Sequence, residues 1–280
     1  MKKAMTLGYL IFIMPVLAME NYNVGPLDYS IVPVFHANVR GASIRFELRQ
    51  DDQHRITILG NDLERRVSFY HSPNTDLQMT TRIGAPPGRP EYLVRYPRHV
   101  KLELYLDDTT ATISSISHLE ATLKNSARLT VEELGNANIQ TEGDATLEGR
   151  RGSGESLKIT ISGGNVLLEQ ANYTRVELAR NHLQCDEKHK AIGSRIIVRN
   201  ARIDTLKATV RTAFLDNFGS PEPSIGVWGT VRVADLKIFP NFATETIFIE
   251  EVTEQVSDKV IQTGGQGINS SIIVSKRPNQ

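Results

Sequence analysis

Leu157-Lys-Ile-Thr-Ile-Ser-Gly-Gly-Asn-Val-Leu-Leu-Glu169 is the stretch that decides the fold. Leu157, Ile159 and Ile161 alternate with Lys158, Thr160 and Ser162, the two-residue period of a strand with one buried face. Ser162-Gly163-Gly164-Asn165 forms a corner, after which Val166 and Leu168 open a second apolar run. Two short strands about a glycine corner would make a hairpin if they stood alone. They do not, because similar units recur on both sides. Ala121, Ile139, Ile159 and Leu178 fall in corresponding places about 18 to 20 residues apart. A period of that length is typical of stacked coils, each burying its apolar row only against its neighbours. The expected fold is all-β, a β-solenoid of β-helix-like stacked coils. Short antiparallel or meandering strands precede the solenoid and continue into it or cap it. Leu157 to Glu169 is then one coil, and Gly163 and Gly164 answer a backbone need at its corner, with positive φ and a close approach between coils.

Upstream, Val100, Leu102, Leu104 and Leu106 alternate with Lys101, Glu103 and Tyr105 and end at the turn Asp107-Asp108. Earlier still, Ile44, Phe46 and Leu48 alternate with Arg45, Glu47 and Arg49. Between Ile31 and Ile83 the pattern predicts a meander of short strands without a helix. Gly84-Ala-Pro-Pro-Gly-Arg-Pro90 cannot sit inside a sheet and reads as a junction. Downstream, Gly149-Arg-Arg-Gly-Ser-Gly154 and Asp186-Glu-Lys-His-Lys190 read as turns inserted into the coils. After Ala208 the rhythm weakens, as expected of irregular terminal coils, and Val252 to Ile261 reads as a further strand in preference to a short helix. The chain divides into a signal peptide (1–18), N-terminal strands and cap (19–99), the repetitive solenoid with irregular C-terminal coils (100–262) and a polar tail (263–280).

The export signal is read from Lys2 and Lys3, the apolar run Leu7 to Leu17, and Val16-Leu17-Ala18 as a cleavage site. The run is short of the roughly 20 residues that span a bilayer, so no stable membrane span is expected after cleavage. The expected location is periplasmic, extracellular or envelope-associated in a bacterium. The 32 basic and 32 acidic residues balance, and losing Lys2 and Lys3 leaves 30 against 32. No basic field exists to attract nucleic acid. Cys185 is the only cysteine, so no intramolecular disulfide can form, and an inward-facing core position is its simplest role.

Phe35-His-Ala-Asn-Val-Arg-Gly-Ala-Ser-Ile-Arg-Phe-Glu-Leu-Arg-Gln-Asp-Asp-Gln-His-Arg-Ile-Thr-Ile58 resembles the opening of the putative auto-transporter adhesin head GIN domain family. Val94-Arg-Tyr-Pro-Arg-His-Val-Lys-Leu-Glu-Leu104 resembles that family's proline-containing entry to its repeats, and Ile161-Ser-Gly-Gly-Asn-Val166 its Ser-Gly turn. The resemblance covers roughly residues 35 to 233. It implies an exported bacterial β-solenoid without an established catalytic activity.

The chemistry-bearing clusters are few. His182, Cys185 and His189 are spaced as metal ligands can be, but lack a second ligand pair and read as a polar turn beside one buried cysteine. Gly264-Gly-Gln-Gly-Ile-Asn269 is half of a calcium-binding nonapeptide in a single copy and reads as tail. Asp107-Asp108 and Asp186-Glu187 read as solvated turns, since adjacent strand residues point to opposite faces. Trp228 could stack on a sugar but reads more simply as core edge. No catalytic, cofactor-binding or metal residue is assigned, and no cofactor is expected. The expected function is a non-enzymatic binding, adhesion or envelope-associated protein whose partner is an envelope component, a glycan or a protein surface. A homo-oligomer is compatible with the open coil ends. The alternative is a carbohydrate-active β-helix enzyme, lyase or hydrolase, whose acidic residues come together from adjacent coils.

Overall fold

A computed structural model of the chain describes residues 27–30, 32–51, 55–72, 75–84, 88–182, 194–212, 223–240, 246–250, 261–262 and 271–275. These residues are almost entirely β. The N-terminal part holds β1 (Leu27–Ser30), β2 (Val34–Arg40), β3 (Ser43–Leu48), β4 (Arg55–Gly60), the single-turn helix α1 (Leu63–Arg66), β5 (Val67–Ser72), β6 (Asp76–Thr81), β7 (Glu91–Tyr96) and β8 (Lys101–Asp107). Longer strands follow: β9 (Thr110–Lys124), β10 (Arg128–Thr141), β11 (Thr146–Ile161), β12 (Asn165–Leu168), β13 (Ala171–His182), β14 (Arg195–Thr212) and β15 (Ile225–Pro240). The last are β16 (Thr246–Glu250), β17 (Ile261–Gln262) and β18 (Ser271–Ser275). No helix among the described residues is long and apolar enough to cross a membrane.

From β8 onwards every pairing is parallel, and the register carries like onto like. Ala121 lies opposite Ile139, Ile139 opposite Ile159 and Ile159 opposite Leu178, which is the row expected from the sequence. A second row runs Ala111, Leu129, Leu147, Val166, Ile196, Ile225 and Ile247. All of these side chains are buried. The alternation explains the rows: a two-residue period sends one set inward on every strand, and an in-register parallel neighbour stacks each set on the next. β11 pairs with β12 along its first residues and with β13 along its last, and both of those pair with β14. These four parallel pairings close a ring, because β12 and β13 are the two limbs of a bent segment that β11 and β14 follow as continuous strands.

The corner in the opening stretch holds, with positive φ at Gly164 but not at Gly163. β11 ends at Ile161 and β12 begins at Asn165, with Gly164 at φ 81°. A Cβ on Gly163 would overlap the Gly143 carbonyl oxygen, and one on Gly164 the Ala145 carbonyl oxygen. Both glycines are therefore required by close backbone approach. Asp108, Asn125 and Gly143 also have positive φ at corners one strand apart, places that Asp, Asn and Gly tolerate best.

Three expectations are corrected. β2 and β3 are not a meander: each pairs in parallel with later strands, Phe35 opposite Leu102 and Ile44 opposite Ala111. Among the described residues antiparallel pairing is confined to β1–β4, β4–β7 and β5–β6. A helical turn, α1, appears where none was expected; the N–H groups of Arg65 and Arg66 both donate to the Asp62 carbonyl, each at 3.0 Å, and Leu63 enters the core. Finally, Gly149 to Gly154 is no inserted turn but the middle of β11. Its glycines make room for neighbours. A Cβ on Gly152 would sit 2.8 Å from the Tyr173 hydroxyl, and one on Gly154 2.7 Å from Asn136 Oδ1.

Candidate functional site

β2, β8, β9 and β10 lie side by side, and their outward side chains make two columns. His36, Glu103, Glu120 and Asn138 form one; Asn38, Tyr105, Thr122 and Gln140 form the other. The residues between them, Ala37, Leu104 and Ala121, turn into the core. Alternate residues of a strand are about 6.6 Å apart, so the columns become walls over a floor of backbone. The trough encloses about 430 Å³.

One wall is charged and its charges are tied together. Lys101 Nζ lies 2.8 Å from Glu103 Oε1 and 3.0 Å from Glu120 Oε2. His36 Nδ1 is 2.9 Å from Glu103 Oε2, and its Nε2 is 3.7 Å from Asp76 Oδ2. Burial pushes the Glu103 carboxyl up, but Lys101 and His36 outweigh it and hold the group below the usual carboxylate value. The other wall is neutral. Tyr105 is 37% exposed, with Lys124 Nζ 5.6 Å from its ring centroid. Lys124 is itself anchored 2.9 Å from Glu142 Oε2. Asn138 Oδ1 is buried and makes no hydrogen bond.

A pH dependence follows from Glu103. Its folded pKa is depressed, so its contribution to stability is complete above the unfolded value of about 4.3 and is lost as pH falls through the lower folded value. Wild type should be more stable than Glu103→Gln at neutral pH, and the gap should narrow as the pH falls below about 4.3. Urea unfolding of both proteins from pH 7 to pH 3 measures it; a gap that does not narrow over that range contradicts the ion-pair role.

The residues flagged in the sequence are elsewhere. Asp107 is only 4% exposed: its Oδ2 accepts from Arg40 Nη2 at 2.6 Å and Nε at 2.7 Å, and its Oδ1 accepts from Asn125 Nδ2. The solvated turn expected there is thus corrected for Asp107, which buries its charge against an arginine 67 residues away. Asp108 is exposed and left-handed, and accepts from Ser126 Oγ at 2.7 Å and Ser126 N at 3.2 Å. Both residues build a corner. His182 ends β13, opposite Thr212, while Cys185, His189, Asp186-Glu187, Gly264 to Asn269 and the signal segment lie outside the described residues. Among the described residues no group of three or more His, Cys, Asp or Glu is arranged to hold a metal. Trp228 is half-buried, 5.3 Å from Phe248 with its ring over Gly226, a packing position on β15 between β14 and β16. Nothing in the linear reading singled out His36, Glu103, Glu120 or Tyr105. The signal that could have found them is the outward counterpart of the apolar row, with Glu103, Glu120 and Asn138 following the same period.

No protein-family model matches this sequence, and no curated protein does. The fold is nevertheless shared with solved structures. A putative adhesin from Parabacteroides merdae is 11% identical with a TM-score of 0.61, over 90% of this chain and 95% of that one. A putative lipid binding protein from Parabacteroides distasonis is 11% identical with a TM-score of 0.57, over 91% and 98%. A putative adhesin from the same organism is 10% identical with a TM-score of 0.53, over 90% and 93%. At these identities the likeness is one of fold, and it extends over nearly the whole of both chains.

Proposed function

We propose that this chain is an exported β-solenoid of the GIN-domain type that binds a partner through its outer face and does not turn it over. The observation that carries this reading is the state of the carboxylates in the trough. Glu103 and Glu120 share Lys101, and the Glu103 carboxyl is held low. A glycosidase needs a carboxylic acid that stays protonated near neutral pH, which requires a raised pKa. Elsewhere, outward charges are also paired between neighbouring strands, Arg150 with Glu132 at 3.1 Å and Arg151 with Glu133 at 2.8 Å. A surface so neutralised suits recognition better than chemistry. Export is supported by the basic start and apolar run of residues 1–18, and an envelope role by the putative adhesins that share the fold.

The alternative, a carbohydrate-active enzyme, is favoured by one observation: His36, Glu103 and Glu120 converge on one trough. The two readings separate in a paired assay. The purified protein is incubated with a panel of polysaccharides and with envelope fractions, and both retention and release of reducing ends or unsaturated products are measured. Retention without release is expected. Release that disappears in Glu103→Gln or Glu120→Gln would replace the binding reading with the enzymatic one.

A further inference from the structure

We propose that the trough across β2, β8, β9 and β10 is a binding site for a neutral glycan chain; this rests on the binding reading above and names its ligand class and its place. The shape suits a chain with polar groups on both edges, because each wall presents one side chain per strand, at steps of roughly 4.8 Å. A polymer of polyhydroxylated rings has such edges.

The wall chemistry narrows the class. On one side the Glu103 and Glu120 carboxylates are acceptors already positioned by Lys101 and His36, so little ordering remains when a hydroxyl donates to them. On the other side Asn38, Thr122 and Gln140 carry groups that both donate and accept, the same dual capacity as a sugar hydroxyl. Tyr105 stands among them as an exposed ring braced by Lys124, an apolar surface for the C–H face of a sugar. Asn138 Oδ1 has no hydrogen bond to give up, so a ligand hydroxyl can draw the amide outward without competition.

Charge excludes the acidic polymers. Glu103 and Glu120 hold Lys101 and the His36 ring on one wall, and on the other Lys124 beside Tyr105 is held by Glu142. A uronate or sulfate entering the trough meets the Glu103 and Glu120 carboxylates and finds the basic groups beside them already engaged by carboxylates.

The test uses the full chain on an array of neutral and polyanionic glycans, followed by calorimetry with the neutral oligosaccharides retained. Tyr105→Ala and Gln140→Ala should each weaken binding about tenfold or more. Arg150→Ala, outside the trough, should leave the affinity unchanged. Circular dichroism melting of each variant separates lost contacts from lost fold. Affinities unchanged in Tyr105→Ala and Gln140→Ala overturn the site, and a preference for polyanions overturns the ligand class. Capture by envelope fractions or lipid vesicles with no neutral glycan bound overturns the glycan inference and leaves the binding reading standing. Release of reducing ends overturns the binding reading itself.

Discussion

Gly164→Ala should lower the stability of the protein by about 3–5 kcal/mol. The residue sits at φ 81°, where a side chain costs roughly 1–2 kcal/mol. The larger part comes from the neighbouring strand, since the new Cβ would overlap the Ala145 carbonyl oxygen, which is backbone and cannot swing aside. Relief requires moving the corner and weakening the bonds that fix it, Asn165 N to Ala145 O at 2.9 Å and Arg195 N to Gly164 O at 3.2 Å, each about 1 kcal/mol. Gly41→Asn is the control. Gly41 has φ 63°, but its Cβ position is open, and Asn tolerates that conformation, so the change should stay within about 1 kcal/mol. Urea unfolding midpoints compare the two. Equal effects would mean that the corner is not held by backbone approach.

Phe46→Ala should cost about 3–5 kcal/mol, in the range of a buried aromatic truncated to a cavity. Phe46 is fully buried and packs edge-on against Phe35 at 6.3 Å and against Tyr96 at 6.5 Å. These three rings come from β2, β3 and β7, and Phe46 lies opposite Ile113 of β9 in the parallel register. Losing it therefore removes contacts on both sides of the junction between the N-terminal strands and the long ones. The unfolding midpoint should fall in a single transition. A separate early transition of the N-terminal part would show that β2 and β3 fold apart from the stack.

Where a residue's role is set by local alternation, the sequence revealed it. The row Ala121, Ile139, Ile159 and Leu178 and the corner at Gly163-Gly164 are visible because each unit repeats the same inward positions. Gly149 to Gly154 misled because glycines that make room for Leu168, Tyr173 and Asn136 look in one dimension like a turn. Arg180 was invisible for the opposite reason. It is fully buried at an inward position between Ile161 and Val210, where a charged residue reads as outward-facing. Asp107 depends on Arg40, and the trough on His36 meeting Glu103; both pairs lie 67 residues apart, because β2 inserts beside β8 only in the folded chain. No pattern along the sequence records that insertion.

Stacked coils make a geometric claim that spin-label distances test directly. Glu120, Asn138, Lys158, Glu177 and Lys207 occupy successive parallel strands in one outward column. With Cys185 replaced by serine, labels are placed at 207 and, in turn, at 177, 158, 138 and 120. A solenoid predicts that the separation grows by roughly 4.8 Å per strand, reaching about 19 Å between the backbone positions of Glu120 and Lys207. Distances that level off or shrink across the series would mean that the strands curve back into a closed barrel, and would remove the continuous outer face on which the proposed binding site lies.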